Sequence, residues 1–321
     1  MSNDSLRLIM MGTGPFAVPT FRALFDTRHT VVALVTQPAR PTHRHGVSPP
    51  TPMRDAAQQH GTPVLAPENV NTHAAGVELA ELAPDLFVVA DFGQILSTET
   101  LALASRGGIN LHGSLLPQYR GAAPINWAIY HGDSETGVTV IHMSPRVDAG
   151  PCLAQARTPI DSEENAVELE TRLAELGAPL VCRAIDELAN GRADSLPQDP
   201  ALASPARRLR KTDGQINWSR EAAAIKNQVR ALEPWPKTYT FWHRAGGAPL
   251  RLILGRTAVR KDLPPAPPGT IVCAHGDDLA VACGQAALAI REIQPSGKRM
   301  FTAGEFLRGY PVRSGQSFGP N

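Results

Sequence analysis

The sequence predicts an α/β protein in two parts, a doubly wound and mostly parallel sheet followed by a small β-barrel. Three observations carry this reading. Short apolar runs alternate with helix-like segments through the first part of the chain. Beyond residue 206 the runs are short and separated by Gly and Pro turns. Between them lies NGRADSLPQDPALASPARRLRK, starting at Asn190, with three prolines, small residues and no apolar periodicity, which reads as a linker. The chain is accordingly divided into residues 1–189, a linker at 190–206, and residues 207–321.

In the first part, Leu6 to Met11 is an apolar run ending at Gly12, followed by a helix-like stretch from Phe16 to Phe25. Thr30 to Thr36 is β-branched and reads as a strand, as do Asp85 to Ala90, Gly108 to His112 and Val138 to Met143. Pro52 to His60, Thr72 to Leu82 and Ala123 to His131 fit helices between them, and Glu164 to Leu188 fits a long amphipathic helix closing the part. Pro41 to Pro52 is a long Pro-rich loop inside it. In sheets of this kind ligands bind beyond the carboxyl ends of the strands.

The second part offers five short runs, Thr238 to Trp242, Leu250 to Leu254, Gly269 to Cys273, Leu279 to Cys283 and Ala287 to Ile293. Five strands with turn signals suggest an OB-like barrel, an architecture that often binds oligonucleotides. Trp235-Pro-Lys-Thr-Tyr-Thr-Phe-Trp242-His-Arg244 interleaves aromatic and basic residues. An RNA-stacking surface would look like this, but the favoured reading is that the aromatics pack the barrel.

Charge divides as the composition does. The net charge is +1 over 321 residues, yet residues 1–204 hold 13 basic against 22 acidic side chains, and residues 205–321 hold 18 against 8. All five lysines lie in the second part. A basic half concentrates polyanions, so nucleic-acid contact is expected there. No apolar stretch approaches the ~20 residues of a membrane-spanning helix. The amino terminus carries Asp4 where a secretory signal wants positive charge, which predicts a cytoplasmic protein, expected to act as a monomer. Cys152, Cys182, Cys273 and Cys283 are widely spaced and predict buried free thiols, and no His or Cys spacing suggests a metal.

Two motif matches carry little. Gly12-Thr-Gly14-Pro-Phe-Ala17 fits a dinucleotide-binding turn, but the second strand ends in Thr36-Gln37-Pro38 rather than the acid that holds a ribose, so a structural turn is the stronger reading. Gly315-Gln-Ser317-Phe-Gly319 matches a nucleophile elbow, but without the strand and helix that such an elbow joins.

The stretch from Gly107 to Gly150 is different. Asn110 and His112 stand two apart on a strand, so they share one face. Asp148 follows another strand in a Gly-bounded loop that can reach them. Asn and His N–H groups can stabilise an oxyanion, and a carboxylate can fix a histidine tautomer, so the three fit acyl transfer. Spacing alone fits satisfied core polar groups equally well.

Asn110-Leu-His112-Gly-Ser-Leu-Leu-Pro117, Arg120-Gly-Ala-Ala-Pro-Ile125, Thr136-Gly-Val138 and Asp148-Ala-Gly150 resemble the core signature of the folate-dependent formyltransferases. Val35-Thr-Gln-Pro38, Arg40-Pro41 and Pro234-Trp-Pro236 are most similar to the branch that uses methionyl-tRNA as acceptor. The resemblance runs from Met10 to about Pro295. It implies a Rossmann-like catalytic domain and a tRNA-binding barrel. It also implies formyl transfer from 10-formyltetrahydrofolate to the α-amine of initiator methionyl-tRNA. By the same resemblance Asn110 and His112 serve the formyl oxygen and Asp148 orients His112. Ser114, Leu115, Leu116 and Pro117 lie against the folate. Phe92, Gly93, Gln94, Ile95 and Leu96, with Arg146 and Val147, surround the pterin, and Arg40 and Arg44 contact tRNA.

The sequence departs from the family in three places. The loop His43-Arg44-His45-Gly46-Val47 keeps one central arginine where the family carries a run rich in lysine. Asp91-Phe-Gly93 replaces a Tyr-Gly, and Gln215-Ile-Asn217-Trp218 stands where Ile-Asp-Trp is common. The competing expectations are a formyltransferase for a nucleotide-linked amino sugar, an inactive RNA-binding module, and a nicotinamide enzyme. The basic second part opposes the first, the intact Asn110, His112 and Asp148 the second, and the missing acid after the second strand the third.

Overall fold

A computed structural model describes residues 5–39, 51–244 and 247–320. The chain forms two compact units, one of residues 1–124, 135–159 and 169–207 and the other of residues 125–134, 160–168 and 208–321.

The first unit is built on a seven-stranded sheet. In chain order its elements are β1 (Arg7–Met11), α1 (Val18–Leu24), β2 (Thr30–Val35), α2 (Pro52–Gln59), β3 (Val64–Leu65), α3 (His73–Glu81), β4 (Leu86–Val89), α4 (Thr98–Leu101), β5 (Gly108–His112) and β6 (Arg120–Gly121). After α5 (Pro124–His131), which falls in the second unit, come β7 (Glu135–His142), β8 (Cys152–Pro159), α6 (Ala166–Ala189) and β9 (Pro205–Ala206). The sheet order is β3-β2-β1-β4-β5-β7-β8. Strands β1 to β5 pair in parallel. Both faces of the central strands are covered, so β1 and β4 read as unbroken apolar runs. Ile9, Met11, Phe87 and Val89 pack with Leu79, Phe92 and Leu96 in one core layer.

The far edge of the sheet holds one expected strand and one that the sequence reading did not include. The run expected as a strand, Val138 to Met143, lies in β7, which pairs antiparallel with β5 and is part of what makes the sheet mostly rather than wholly parallel. The edge strand β8 then pairs antiparallel with β7. It escaped notice because its inward positions are small residues such as Ala154 and Ala156, which give almost no apolar alternation. The amino end of α6 is set by a capping box: Asn165 Oδ1 accepts the amides of Val167 and Glu168, and Glu168 Oε2 accepts the Asn165 amide.

The segment read as a linker is bonded into the first unit. Leu196 and Cys152 exchange two backbone hydrogen bonds of 2.8 and 2.9 Å. Strand β9 pairs with β6, Arg120 opposite Pro205 and Gly121 opposite Ala206.

The second unit holds α7 (Ala222–Ala231), β10 (Thr238–Trp242), β11 (Leu250–Leu254), β12 (Thr257–Arg260), β13 (Ile271–His275), β14 (Asp278–Ala282), β15 (Ala287–Ile290), β16 (Glu292–Pro295), β17 (Phe301–Thr302), α8 (Ala303–Gly309) and β18 (Phe318–Gly319). Two antiparallel sheets, ordered β17-β16-β11-β10-β18 and β12-β15-β14-β13, make a small barrel-like body. Its core gathers Trp218, Trp242, Leu252, Leu254, Leu288 and Phe306. The expected strand Ala287 to Ile293 is two strands broken at Arg291.

Trp242 packs in that core as expected, whereas Trp235 stands 48% exposed. Tyr239 is half-buried with the Arg251 guanidinium 4.2 Å from its ring centre. The acidic turn Asp161, Glu163 and Glu164 also belongs to this unit, where Glu163 pairs with Lys226 and the Asp161 and Glu164 carbonyls accept from Arg230. The basic balance read from sequence position is therefore partly offset in space. Cys283 is buried, while Cys152, Cys182 and Cys273 are only half-buried free thiols. No helix among the described residues is long and apolar enough to cross a membrane.

Candidate active site

Strand β5 runs between β4 and β7 and delivers two polar side chains, Asn110 and His112. In the register with β7, Asn110 lies opposite Ile141 and His112 opposite Thr139. Thr139 is fully buried, and its hydroxyl joins three groups. It donates to the Ser114 carbonyl (2.7 Å) and accepts from the Leu116 amide (3.1 Å) and Gln155 Nε2 (3.1 Å). This buried polar group is satisfied, and it fixes the turn that leaves β5.

Asp148 reaches both β5 residues from the 143–151 loop. Its Oδ1 accepts from Asn110 Nδ2 at 3.4 Å, its Oδ2 accepts from the Gly121 amide at 2.9 Å, and Oδ2 stands 3.6 Å from His112 Nδ1. The side chains of His112 and Asp148 retain 6% and 12% of their exposure, so this pair works largely away from water. Asp148 has φ +50°, a left-handed conformation that an aspartate adopts more readily than most residues.

The other nitrogen of His112 decides its tautomer. Nε2 lies 2.8 Å from the Tyr119 carbonyl, which can only accept, so Nε2 carries the proton. In this tautomer the ring's N–H is committed to backbone, and Nδ1 is the ring nitrogen left facing the Asp148 carboxylate, 3.6 Å away. Asn110 keeps one of its two N–H groups beyond the bond to Asp148.

The remaining residues singled out by sequence fall into two sets. Ser114 and Leu116 are buried, and the Ser114 hydroxyl donates to the Gln118 carbonyl at 2.6 Å, so both shape the loop rather than face outward. Leu115 and Pro117 are half-buried. In the 91–97 stretch Phe92 and Leu96 turn into the core. Gln94 is tied down, its Oε1 accepting the Val70 amide and its Nε2 donating to the Pro67 carbonyl. Gly93 and Ile95 are exposed, as are Arg146 and Val147. Ile95 is 68% and Val147 53% exposed, apolar edges suited to a flat heterocycle. Arg40 and Arg44 lie outside the described residues.

Asp91 follows β4 with φ +43°, and its carbonyl accepts the Thr13 amide. Its carboxylate occupies the space that a Cβ on Gly14 would need, which gives the glycine-rich turn a packing reason. The residue is exposed as a whole, but its carboxyl lies against the Gly14 turn, and the desolvation there pushes its pKa up to about 6. On α6, burial and then the negative charge of Asp91 push Glu170 up to about 7.

Sequence reasoning did not identify the Gly121 amide, the Tyr119 carbonyl or the Gln198 side chain. The first two are backbone groups with no side-chain signature. Gln198 sits in a stretch whose composition signals only a linker. Among the described residues no three His, Cys, Asp or Glu side chains come together as metal ligands.

The chain matches the formyl transferase family over residues 6–185 and the formyl transferase C-terminal domain over residues 208–311. It is 43% identical over 314 residues to the methionyl-tRNA formyltransferase of Citrifermentans bemidjiense, covering 98% of this chain and 96% of the relative. The methionyl-tRNA formyltransferase of Geotalea daltonii is 42% identical, with 98% of both chains covered. Among solved structures, an N-formyltransferase from Helicobacter canadensis in complex with folinic acid and dTDP-3-aminofucose is similar with a TM-score of 0.68 at 17% identity, over 92% of this chain and all of that one. HypX from Aquifex aeolicus in complex with tetrahydrofolic acid gives 0.64 at 16%, over 95% of this chain and 48% of that one. At such identities the structures speak to the fold alone.

Proposed function

Because the chain belongs to the formyl transferase family across both of its parts, we propose that it transfers a formyl group from 10-formyltetrahydrofolate to the α-amine of initiator methionyl-tRNA. It acts in the cytoplasm as a monomer. The observation that carries the chemistry is Asp148, which accepts from Asn110 and Gly121 and stands 3.6 Å from Nδ1 of His112.

10-Formyltetrahydrofolate supplies the formyl carbon as an amide-like group on N10. A neutral amine, with a reference pKa of about 7.7 to 8.0, forms the new C–N bond without an activated protein nucleophile. The free N–H of Asn110 donates to the developing oxyanion. His112 Nδ1 takes the amine proton and then stands as an imidazolium 3.6 Å from Asp148, whose charge stabilises it. Returning that proton to N10 accompanies cleavage of the formyl C–N10 bond and restores the neutral ring. Leu115, Pro117, Ile95 and Val147 offer apolar surface to the folate, and Arg146 a nearby cation. Arg40 and Arg44 contact the tRNA acceptor arm, and the basic side chains of the barrel track phosphates.

The test is formyl transfer by purified protein from 10-formyltetrahydrofolate, offered charged initiator tRNA and, separately, UDP-linked amino sugars. Formylation of the tRNA alone is expected. Formylation of the sugar in preference would overturn the assigned acceptor.

A further inference from the structure

The stretch from Asp194 to Pro200 is exposed at every residue except Gln198. That side chain uses all four hydrogen-bonding positions of its amide. Nε2 donates to the Asp148 carbonyl (2.8 Å) and the Gly150 carbonyl (2.7 Å). Oε1 accepts from Nε (3.0 Å) and a terminal nitrogen (2.7 Å) of Arg120. Only one orientation of the amide satisfies two carbonyls on one side and a guanidinium on the other, so its direction is fixed.

The same strap meets the histidine side of the site. Ser204 Oγ accepts the Tyr119 amide (2.9 Å) and its carbonyl accepts the Arg120 amide (2.8 Å). Tyr119, at φ +60°, is the residue whose carbonyl holds His112. One segment thus grips the backbone that bears the carboxylate and the backbone that sets the histidine tautomer.

We propose that Gln198 is a positioning residue for Asp148, with the 196–206 strap as the element that holds the Asp148 loop and the Tyr119 carbonyl in register with His112. It rests on the assignment of Asp148 to the chemistry above. The two Nε2 bonds hold the carbonyls of Asp148 and of Gly150 just after it, where a displacement of about 1 Å can cost on the order of 10²-fold in rate. The Oε1 bonds anchor Gln198 itself through Arg120.

Gln198→Glu separates the two halves. It keeps the shape and gives Arg120 a carboxylate partner, so a merely structural link is preserved, but it sets a carboxylate oxygen against two carbonyls and loses both donations. Gln198→Ala loses everything. The full chain carrying each variant, with Asp148→Asn in parallel, is assayed for kcat and for KM of both substrates across pH. We expect kcat to fall on the order of 10- to 100-fold in both Gln198 variants, with KM changed far less. The acidic limb of the rate profile should move to lower pH, as when a carboxylate is drawn away from a protonatable partner. Should Gln198→Ala fail to fold, Gln198→Glu still gives the answer. A wild-type kcat and pH profile for Gln198→Glu, with Asp148→Asn inactive, would overturn the positioning role and leave the proposed reaction intact. A fully active Asp148→Asn would overturn the reading on which it rests.

Discussion

The backbone amide of Gly121 donates to Oδ2 of Asp148 at 2.9 Å, joining the strand after the 113–119 turn to the loop after β7. Gly121 has φ +122°, and a Cβ there would sit 2.6 Å from the Ala206 carbonyl oxygen. No L side chain fits either condition, and β6 can bring its amide to the carboxylate only with glycine in this place.

Gly121→Ala should therefore lose stability by about 1 to 3 kcal/mol and lose activity beyond what that instability explains. Denaturant unfolding gives the first quantity, and kcat on the folded fraction gives the second. Wild-type turnover in a folded variant would remove the Gly121 amide from the site.

Removing Asn110 or His112 should slow transfer on the order of 10²-fold or more, about 3 kcal/mol, while leaving the fold largely intact. Their roles differ: Asn110→Ala takes away a donor, and His112→Ala takes away a proton acceptor. Only His112→Ala should flatten the pH dependence of kcat/KM.

Asp148→Asn keeps the size of the side chain but loses its charge. If its oxygen keeps the Gly121 amide, its N–H group faces Asn110 Nδ2, donor against donor, in place of the Asn110 bond. The negative charge beside His112 Nδ1 is lost as well. Turnover should collapse as in His112→Ala, and combining the two changes should cost little more than either alone.

Asp91 and Glu170 make stability depend on pH. Burial raises Asp91 from 3.8 to about 6, and burial with the charge of Asp91 raises Glu170 from 4.5 to about 7. In both, the folded chain keeps a proton that the unfolded chain has released. Their contribution is present at low pH and is lost as pH rises from 3.8 toward 7. Asp91→Asn should remove its share of that decline and let Glu170 ionise at lower pH. Tm measured from pH 5 to 8 should fall less steeply in the variant, and an unchanged slope would show the Asp91 carboxyl to be solvated.

Arg44→Ala should reduce formylation of initiator tRNA more than it reduces general tRNA binding, because a residue that enters the acceptor stem discriminates while phosphate contacts do not. Formylation and binding of initiator and elongator methionyl-tRNA at two salt concentrations separate the cases. An equal loss for both tRNAs would leave Arg44 as an electrostatic contact.

The parallel core was legible because its strands are continuous apolar runs, and β5 fell within the expected bounds because Gly108 and the polar His112 mark its ends. Asn110 and His112 on one face followed from the two-residue strand period alone. Their partner Asp148 was reachable from sequence only as a loop residue, since 38 positions separate it from Asn110. The antiparallel direction of β7 was hidden because a continuous buried run reads the same in either direction. Residues 196–206 misled for a related reason. Proline and small residues mark the lack of a helix or strand of any length, but they say nothing of side-chain bonds such as those of Gln198 and Ser204.

The attachment of that strap bears on how relatives can be recombined. In a chimaera that joins the first unit of this chain to the barrel of a relative, a junction before Leu196 would import the other parent's strap and set its residues against this chain's Asp148 loop and Tyr119. A junction after Arg207 carries Gln198, Ser204, β9 and their partners together. The boundary that matters for exchange is where the hydrogen bonds stop, and that lies many residues beyond the end of α6.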